Sequence, residues 1–374
     1  MASSSSPSRG KKLLKQAGSW YARFERSFSS ISLVGGFVFD AITLTRVDEF
    51  WENFWVVAHL AIVTACALMI NLIENTGEDE ENPEKLHFWL VNVMQFFFGG
   101  IFSTYLVFYF RSGTITTSWP FMALLAAAFI ANERLKRHYA RLAFQITLLF
   151  LAYYTFAIYL MPILFHEIST PIFILAGVAS IVTIGVFIGI LRKFSHERFV
   201  GKAKWLTRLS IATVFIAVNL LYFFNLIPPI PLSLKNAGVY QSLTVNGPGI
   251  YTAQEEPQGP FSFFNWAETI HVTPNSPLYA YTAIFSPTSL NTNIVHQWQY
   301  YDPTQSAWVT RAKTTLAVSG GSDGGYRTFS LMPNISAGSW RVNIETPRGQ
   351  LIGQLRFDVI VTSTLPSLTT VSID

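Results

Sequence analysis

The sequence predicts a membrane α-helical bundle of about seven transmembrane helices followed by an all-β C-terminal domain, an antiparallel Ig-like sandwich. Half of the 374 residues are hydrophobic and only 13% are charged, whereas about a quarter are charged in a typical soluble domain. Long apolar runs fill the first 227 residues. After the segment Ile227–Pro231 they give way to short alternating stretches separated by Gly, Pro, Asn and Ser, a pattern typical of strands and turns.

Residues 1–30 are predicted to lie outside the membrane. Residues 1–10 are rich in serine and are expected to be disordered. Residues 11–28 place Leu13, Ala17 and Trp20 at helical spacing among lysines and arginines. This pattern predicts either an amphipathic helix on an anionic cytoplasmic membrane surface or a cytosolic helix docked on the loops of the bundle.

Residues 31–227 are predicted to form the bundle. A span needs about 20 apolar residues, and five segments are long enough: Trp55–Leu72, Trp89–Phe110, Leu142–Phe165, Pro171–Leu191 and Trp205–Ile227. Two more are short, Phe28–Thr45 and Ser118–Asn132. The second of these opens with Trp119-Pro120, where proline suits the first turn of a helix.

Three basic clusters determine the predicted orientation, because Lys and Arg favour the cytoplasmic side of a membrane. They occupy residues 9–26, 134–141 and 192–208. All three are cytoplasmic if all seven segments span, or if the first two form a re-entrant hairpin. We therefore predict a cytoplasmic N-terminus and an extracytoplasmic C-terminal domain.

Polar residues inside the predicted spans are candidates for function. Asp40 is the acidic residue well inside one, and Asn92 and Gln95 are neutral candidates. Asp40 could be a proton or cation site. It could instead hold helices together through Thr43, Asn92 or Gln95, or lie near a membrane interface because its segment is short. The two short segments are the first and fourth, so each begins a group of three spans, as broken helices do in some transporters. The two groups have no residue-level similarity.

Residues 228–237 are predicted to be a proline-rich joint. Pro228, Pro229 and Pro231 cannot continue a helix and favour an extended polyproline conformation. We expect them to end the seventh helix and to hold the next domain away from the bilayer.

Residues 238–361 are predicted to form the β-sandwich, and residues 362–374 a polar tail. In Ser339–Thr346, three apolar side chains alternate with Arg341, Asn343 and Glu345, so that they face opposite ways. Short strands at this spacing are typical of an antiparallel sandwich. The predicted strands are Tyr240–Val245, Glu268–Thr273, Leu278–Phe285, Ile294–Tyr301, Thr314–Val318, Tyr326–Leu331, Ser339–Thr346 and Gln350–Val361.

Several groups of residues together resemble a known family. They are Ile227–Leu232 with Gly238-Val239-Tyr240; His296, Trp298, Tyr301-Asp302 and Trp308; Gly320–Arg327; Gly338–Val342 with Gly349–Gly353 and Phe357; and, upstream, Gly36-Phe37 with Phe39-Asp40 and Thr43–Asp48. The chain thereby resembles the bacterial multi-pass membrane-protein family that carries the C-terminal domain of unknown function 2914. The resemblance implies an inner-membrane setting and a periplasmic β domain, and it implies no reaction.

Six residues of the β domain are candidates for ligand or partner binding. Each has an alternative structural interpretation: the histidine and the tryptophans could be core residues, and the arginines could pair with Asp302, Asp323 or Glu345 instead of a bound carboxylate or phosphate. The candidates are His296, Trp298, Asp302, Arg327, Trp340 and Arg341.

No catalytic residue, cofactor or metal site is expected. Gly320–Gly324 matches the Gly-x-Ser-x-Gly motif of hydrolases, which requires a strand before it and a helix after it. Strand-like residues flank it on both sides here, so a hairpin turn is favoured. Cys66 is the single cysteine, and the seven histidines lack metal-ligand spacing.

The expected function is binding. The β domain is predicted to contact an envelope protein or a glycan, while the bundle anchors it in the lipid bilayer. Nucleic acid is not an expected partner, because the bases cluster in the first 210 residues and the β domain is near neutral. The alternative is a small-solute or ion transporter that uses Asp40, and the oligomeric state is left open.

Overall fold

The computed structural model describes residues 35–44, 46–76, 83–134, 142–194, 201–247, 249–257 and 267–373. The predicted serine-rich segment, the predicted amphipathic helix and the first part of Phe28–Thr45 lie outside these residues.

Within the described residues, seven helices precede a region of strands, as predicted. Residues 35–43 are helical and are termed α1. The others are α2 (Phe50–Thr76), α3 (Pro83–Arg111), α4 (Ile115–Arg134), α5 (Leu142–Phe165), α6 (Thr170–Phe194) and α7 (Gly201–Phe223). All of α2–α7 are long and apolar enough to cross a membrane.

The bundle is apolar on the outside as well as in its core. Phe98, Phe102 and Phe150 are fully buried in the core, while Val178 and Val186 on α6 are more than half exposed. A helix that is apolar all round is typical of a membrane span, because lipid replaces water at its outer surface.

Five exposed tryptophans lie near the ends of the helices. Trp51, Trp55 and Trp119 lie near the starts of α2 and α4, and Trp89 and Trp205 near the starts of α3 and α7. Because neighbouring helices run in opposite directions, the two groups form bands at opposite ends of the bundle. Such bands match the aromatic belts found at membrane–water interfaces.

Eleven strands follow among the described residues. They are β1 (Ser233–Tyr240), β2 (Ser242–Gly247), β3 (Ile250–Glu255), β4 (Glu268–Val272), β5 (Leu278–Phe285), β6 (Thr292–Asp302), β7 (Ala307–Val318), β8 (Tyr326–Met332), β9 (Gly338–Glu345), β10 (Leu351–Val361) and β11 (Thr369–Ile373). They form sheets of order β1-β5-β8, β4-β10-β9-β6-β7 and β11-β3-β2. The pairs are antiparallel except that β4 is parallel to β10.

The sheet β1-β5-β8 is the middle layer of the β domain. On one side of β5, Leu278 and Ala280 share a core with Trp298 of the five-stranded sheet. On its other side, Tyr281 packs in a separate core with Tyr251 of the third sheet. The all-β prediction is confirmed, and the structure adds a third layer to the two expected of an Ig-like sandwich. β5 can be central because apolar or aromatic residues occupy both of its faces.

The proline-rich segment is a compact buried turn, and the prediction of an extended spacer is wrong. The amide of Ile230 donates to the carbonyl of Pro228 (2.8 Å), and that of Leu232 to the carbonyl of Pro229 (3.0 Å). A Cβ added to Gly113 would lie 2.8 Å from Pro228, so the turn packs against the α3–α4 connection. The β domain therefore sits directly on the bundle.

The domain bounds also differ from those predicted. β1 begins at Ser233, inside the predicted joint 228–237, and β11 lies in the predicted polar tail 362–374. β11 pairs with β3, from Thr369↔Glu255 to Ile373↔Tyr251. The alternating residues of β11 are therefore part of the third layer.

Candidate functional site

The five-stranded sheet presents a polar face on the side away from its core. Strand alternation sends Trp340, Val342 and Ile344 inward to burial, and Arg341 and Asn343 outward. We term this surface the outer face and define it by eight side chains: Gln297, Gln299, Trp308, Thr310, Arg341, Asn343, Gln354 and Arg356.

Amide side chains link the strands across the outer face. Gln297 and Gln299 donate through Nε2 to the Thr310 hydroxyl at 3.0 and 3.1 Å. The Nε2 of Gln354 donates to Oδ1 of Asn343 at 2.7 Å. These bonds connect the side chains of neighbouring strands and fix their positions on the face.

Arg341 lies at the centre of this face. Its Nε donates to Oε1 of Gln299 (2.6 Å), and its guanidinium carbon lies 4.4 Å from the ring centroid of Trp308. Trp308 meets Tyr301 edge to face, with centroids 5.3 Å apart. Burial and the nearby Arg356 guanidinium lower the pKa of Arg341 from its usual value.

Arg356 is the cross-strand partner of Arg341 on β10. Its Nε donates to Oε1 of Gln354 at 2.6 Å. Within the described ranges, neither guanidinium is within 4 Å of a carboxylate oxygen. The acid on the same strand, Asp358, accepts instead from the Ser339 hydroxyl (2.6 Å). Arg341 therefore lacks the ion pair with a local acid that was the alternative interpretation.

His296 and Trp298 lie in the core. The ring nitrogens of His296 are 3.0 Å from the Thr282 hydroxyl and 2.9 Å from the Ser330 hydroxyl. Trp298 also donates to the Ser330 hydroxyl (2.9 Å). Burial lowers the pKa of His296 to about 4. These contacts correspond to the structural interpretation of both residues.

The remaining predicted β-domain residues are dispersed. Trp340 is buried and donates to the carbonyl of Ser336. Asp302 accepts two bonds from Thr304 in the β6–β7 turn. Arg327 donates to the carbonyl of Gly249, beside the third sheet. Of the six predicted residues, only Arg341 belongs to the outer face.

The predicted polar residues of the bundle do not form one group. The carboxyl of Asp40 lies near the buried Ser103 hydroxyl and within electrostatic range of His59. Asn92 donates to the carbonyl of Phe88, one turn earlier in its own helix. The backbone carbonyl of Gln95 accepts from the Asn132 amide.

Arg348 in the β9–β10 turn joins the β domain to the bundle, and the sequence reasoning missed it. Its guanidinium lies 3.9 Å from the ring centroid of Tyr222 on α7. Its Nη1 donates to the Thr170 hydroxyl on α6 at 2.6 Å, and its Nε to Oδ1 of Asn225 at 3.3 Å. One cation thus connects the ends of two helices to a hairpin.

A second contact surrounds Phe285, at the end of β5. This ring is buried in the core cluster of the bundle and has the cations of Arg46 and Lys235 at 5.2 and 5.1 Å. Arg46 also pairs with Asp48 and with Asp323 in the β7–β8 connection. Burial, followed by Arg111 and Arg46, lowers the pKa of Lys235.

The glycine-rich segment 320–325 is the β7–β8 connection, flanked by strands on both sides. A Cβ on Gly320 would lie 1.8 Å from the carbonyl oxygen of Pro287, so glycine is required for close backbone approach. Across the described segments, no three His, Cys, Asp or Glu side chains converge on a possible metal site.

No curated protein matches the chain. Among solved structures it has a distant likeness to the Pseudomonas fluorescens alkylpurine DNA glycosylase AlkC bound to DNA containing an abasic site analog. The identity is 8%, the coverage is 84% of this chain and 100% of that chain, and the TM-score of 0.21 carries no argument. Residues 291–359, from just before β6 to near the end of β10, match the family described as protein of unknown function DUF2914, so the β domain of this chain carries that domain.

Proposed function

We propose that this protein is a multi-pass protein of the bacterial inner membrane that holds its β domain on the periplasmic side to bind an envelope component. The observation that carries the proposal is the position of the β domain relative to the basic connections. The β domain contacts Arg46 before α2 and Tyr222 near the end of α7, and the proline turn that leads into it contacts Gly113 between α3 and α4.

The α4–α5 and α6–α7 connections consequently belong to the opposite end of the bundle. A helix of about 20 residues is ~30 Å long, enough to separate the two ends by the thickness of a bilayer. These two connections carry the basic clusters 134–141 and 192–208. Since such clusters favour the cytoplasm, the β domain faces the periplasm whether or not α1 spans.

Cysteine labelling tests this orientation. The native Cys66 is replaced by serine, and single cysteines are introduced as Thr304→Cys in the β6–β7 turn and Lys136→Cys in the α4–α5 connection. An outer-membrane-permeant but inner-membrane-impermeant maleimide applied to cells should label only the Thr304→Cys variant. Labelling of the Lys136→Cys variant alone would place the β domain in the cytoplasm and refute the proposal.

Binding is favoured for the β domain because its outer face is polar, partly exposed and held by side-chain hydrogen bonds. Its arginine and amide groups are of the kind that bind ligands, and they are not a nucleophile paired with a base. A photo-crosslinking amino acid at Thr310 on this face should give adducts in cells. The matched control is Gln254, an exposed residue of the third sheet. Equal adducts at both positions, or none at Thr310, would contradict binding through the outer face.

Transport is a second candidate, because Asp40 lies near His59 and Ser103. An acid within electrostatic range of a histidine is able to exchange a proton or a cation. The test is flux of protons and monovalent cations into liposomes that contain the purified protein. Asp40→Asn should abolish the flux, while Asn92→Ala preserves it. No flux through the wild-type protein, or an equal flux through Asp40→Asn, would remove this candidate.

A further inference from the structure

Two arginines lie side by side on the outer face, and among the described residues neither forms an ion pair with a carboxylate. Arg341 and Arg356 are directly paired across β9 and β10. Repulsion between like charges directly opposite each other on neighbouring strands disfavours the arrangement unless an anion neutralises it. A bound anion would contact both guanidiniums at once.

Neighbouring glutamines orient both guanidiniums. Each uses Nε to donate to a glutamine oxygen, that of Gln299 or Gln354. In the part of the chain that the structure describes, the Nη atoms of both arginines make no hydrogen bond to protein. Paired Nη donors match the two oxygens of a carboxylate.

The surroundings of the pair suit a sugar. Gln297, Asn343 and Gln354 supply amides, and amides both donate to and accept from hydroxyl groups. Trp308 and Tyr301 supply aromatic surface at one end of the face. A bound peptide usually also places apolar side chains in pockets, whereas seven of the eight side chains that define the face are polar or charged.

The position of the pair disfavours a lipid headgroup. The β9–β10 turn contacts the bundle through Arg348, and Arg341 lies seven residues earlier along the chain. At ~3.3 Å per strand residue, the four residues from Arg341 to the end of β9 at Glu345 span about 13 Å, and the turn extends this separation. A headgroup at the end of the bundle cannot reach this distance.

We propose that the outer face binds a carboxylated polysaccharide, with a carboxylate across Arg341 and Arg356 and ring hydroxyls on the neighbouring amides. This rests on the proposed binding function and specifies its ligand class. No bond is made or broken in this association.

The test uses the full chain in phosphatidylcholine nanodiscs, with polygalacturonate as the probe and neutral dextran and poly-glutamate as comparisons. Polygalacturonate should bind, more weakly as salt rises, and dextran should not. Arg341→Gln and Arg356→Gln should each weaken binding about tenfold or more, as expected for a lost charged hydrogen bond. The matched control Arg311→Gln removes an exposed charge stacked on Tyr300 of the same domain and should change binding less than twofold.

Three results would overturn the assignment: no binding of polygalacturonate, equal loss in Arg311→Gln, or poly-glutamate binding as tightly with the same arginine dependence. Arg341→Lys keeps the positive charge but loses the paired Nη donors of the guanidinium, and it should retain part of the affinity. Thermal unfolding of each variant confirms that the domain is folded. The cysteine-labelling and Thr310-crosslinking experiments do not use polygalacturonate, so they test the proposed function independently of the sugar. A periplasmic domain with a protein adduct would therefore refute the sugar while preserving the proposed function.

Discussion

Replacing Arg348 by methionine should loosen the β domain from the bundle without unfolding either part. Methionine keeps the length and apolar surface of the side chain but removes the cation. The variant loses the contact with Tyr222 at 3.9 Å and the bond to Thr170 at 2.6 Å. A hydrogen bond to a charged group contributes about 1.5–3 kcal/mol, and a cation–π contact about 0.5–2 kcal/mol.

These contributions are not additive, and the Arg348 side chain is partly exposed. A loss of about 2 kcal/mol, near the low end of the combined range, is therefore expected. At ~1.4 kcal/mol per factor of ten, this corresponds to a roughly 30-fold increase in the undocked population.

Hydrogen exchange of the protein in nanodiscs measures this population. The amides of Gly349 and Leu232 form hydrogen bonds within the contact region. They should exchange about 30-fold faster, because the undocked population is expected to rise by that factor when the charged hydrogen bond is lost. Amides in the centre of β6 should be unchanged. Arg311→Met, which removes a cation from another part of the domain, should leave all of these rates at the wild-type level. Unchanged rates at Gly349 and Leu232 would refute the reasoning, and uniform acceleration throughout the domain would indicate unfolding instead of undocking.

Three further predictions concern stability. His296 has a folded-state pKa of about 4, against 6.5 for an unperturbed ring. Its stabilising contribution is therefore present above pH 6.5 and falls by about 3 kcal/mol as the pH drops towards 4. The unfolding temperature should depend less on pH in His296→Gln than in the wild type, and an equal dependence would contradict this. Gly320→Ala should lower the unfolding temperature of the β domain because its Cβ would meet the Pro287 oxygen, whereas Gly324→Ala, whose Cβ would lie 3.6 Å from the nearest side chain, should be tolerated; equal losses would argue against this packing. Phe285→Ala should cost about 3–5 kcal/mol in chemical unfolding, since it empties a buried aromatic site, and a loss below 1 kcal/mol would exclude the ring from the bundle core.

The helices were predictable because long apolar runs depend on composition rather than on distant contacts. The start of α4 was predicted three residues late. Its first turn contains Thr116 and Thr117, which are not apolar, and the hydroxyls of Thr114 and Thr117 bond to each other at 2.9 Å. Polar residues at a helix start produce no apolar periodicity, so the pattern alone cannot locate them.

The strands were predictable, but their layering was not. Leu278–Phe285 was predicted with its observed bounds, yet both of its faces are covered, and alternation does not tell which sheet covers each face. The third layer pairs residues near 250 with residues near 370. Local periodicity carries no information about such distant partners.

The site was predicted only in part, for the same reason. Arg341 was singled out, but Arg356 was not, because their pairing depends on a register shift between Leu351 and Gly353. Arg348 was missed because its partners lie on helices far away in the sequence. The sequence identifies the residue types capable of binding, whereas the strand register determines which of them meet.

The docked β9–β10 turn also has a consequence for many copies of the protein in one membrane. A domain on a long flexible linker would tumble, but this one is held by Arg348 and by Phe285, so its outer face keeps a fixed position relative to the bundle. Every copy then presents that face at the same height above the membrane. A long polymer lying parallel to the membrane would meet several copies at once, and the high effective concentration would convert weak single contacts into durable attachment.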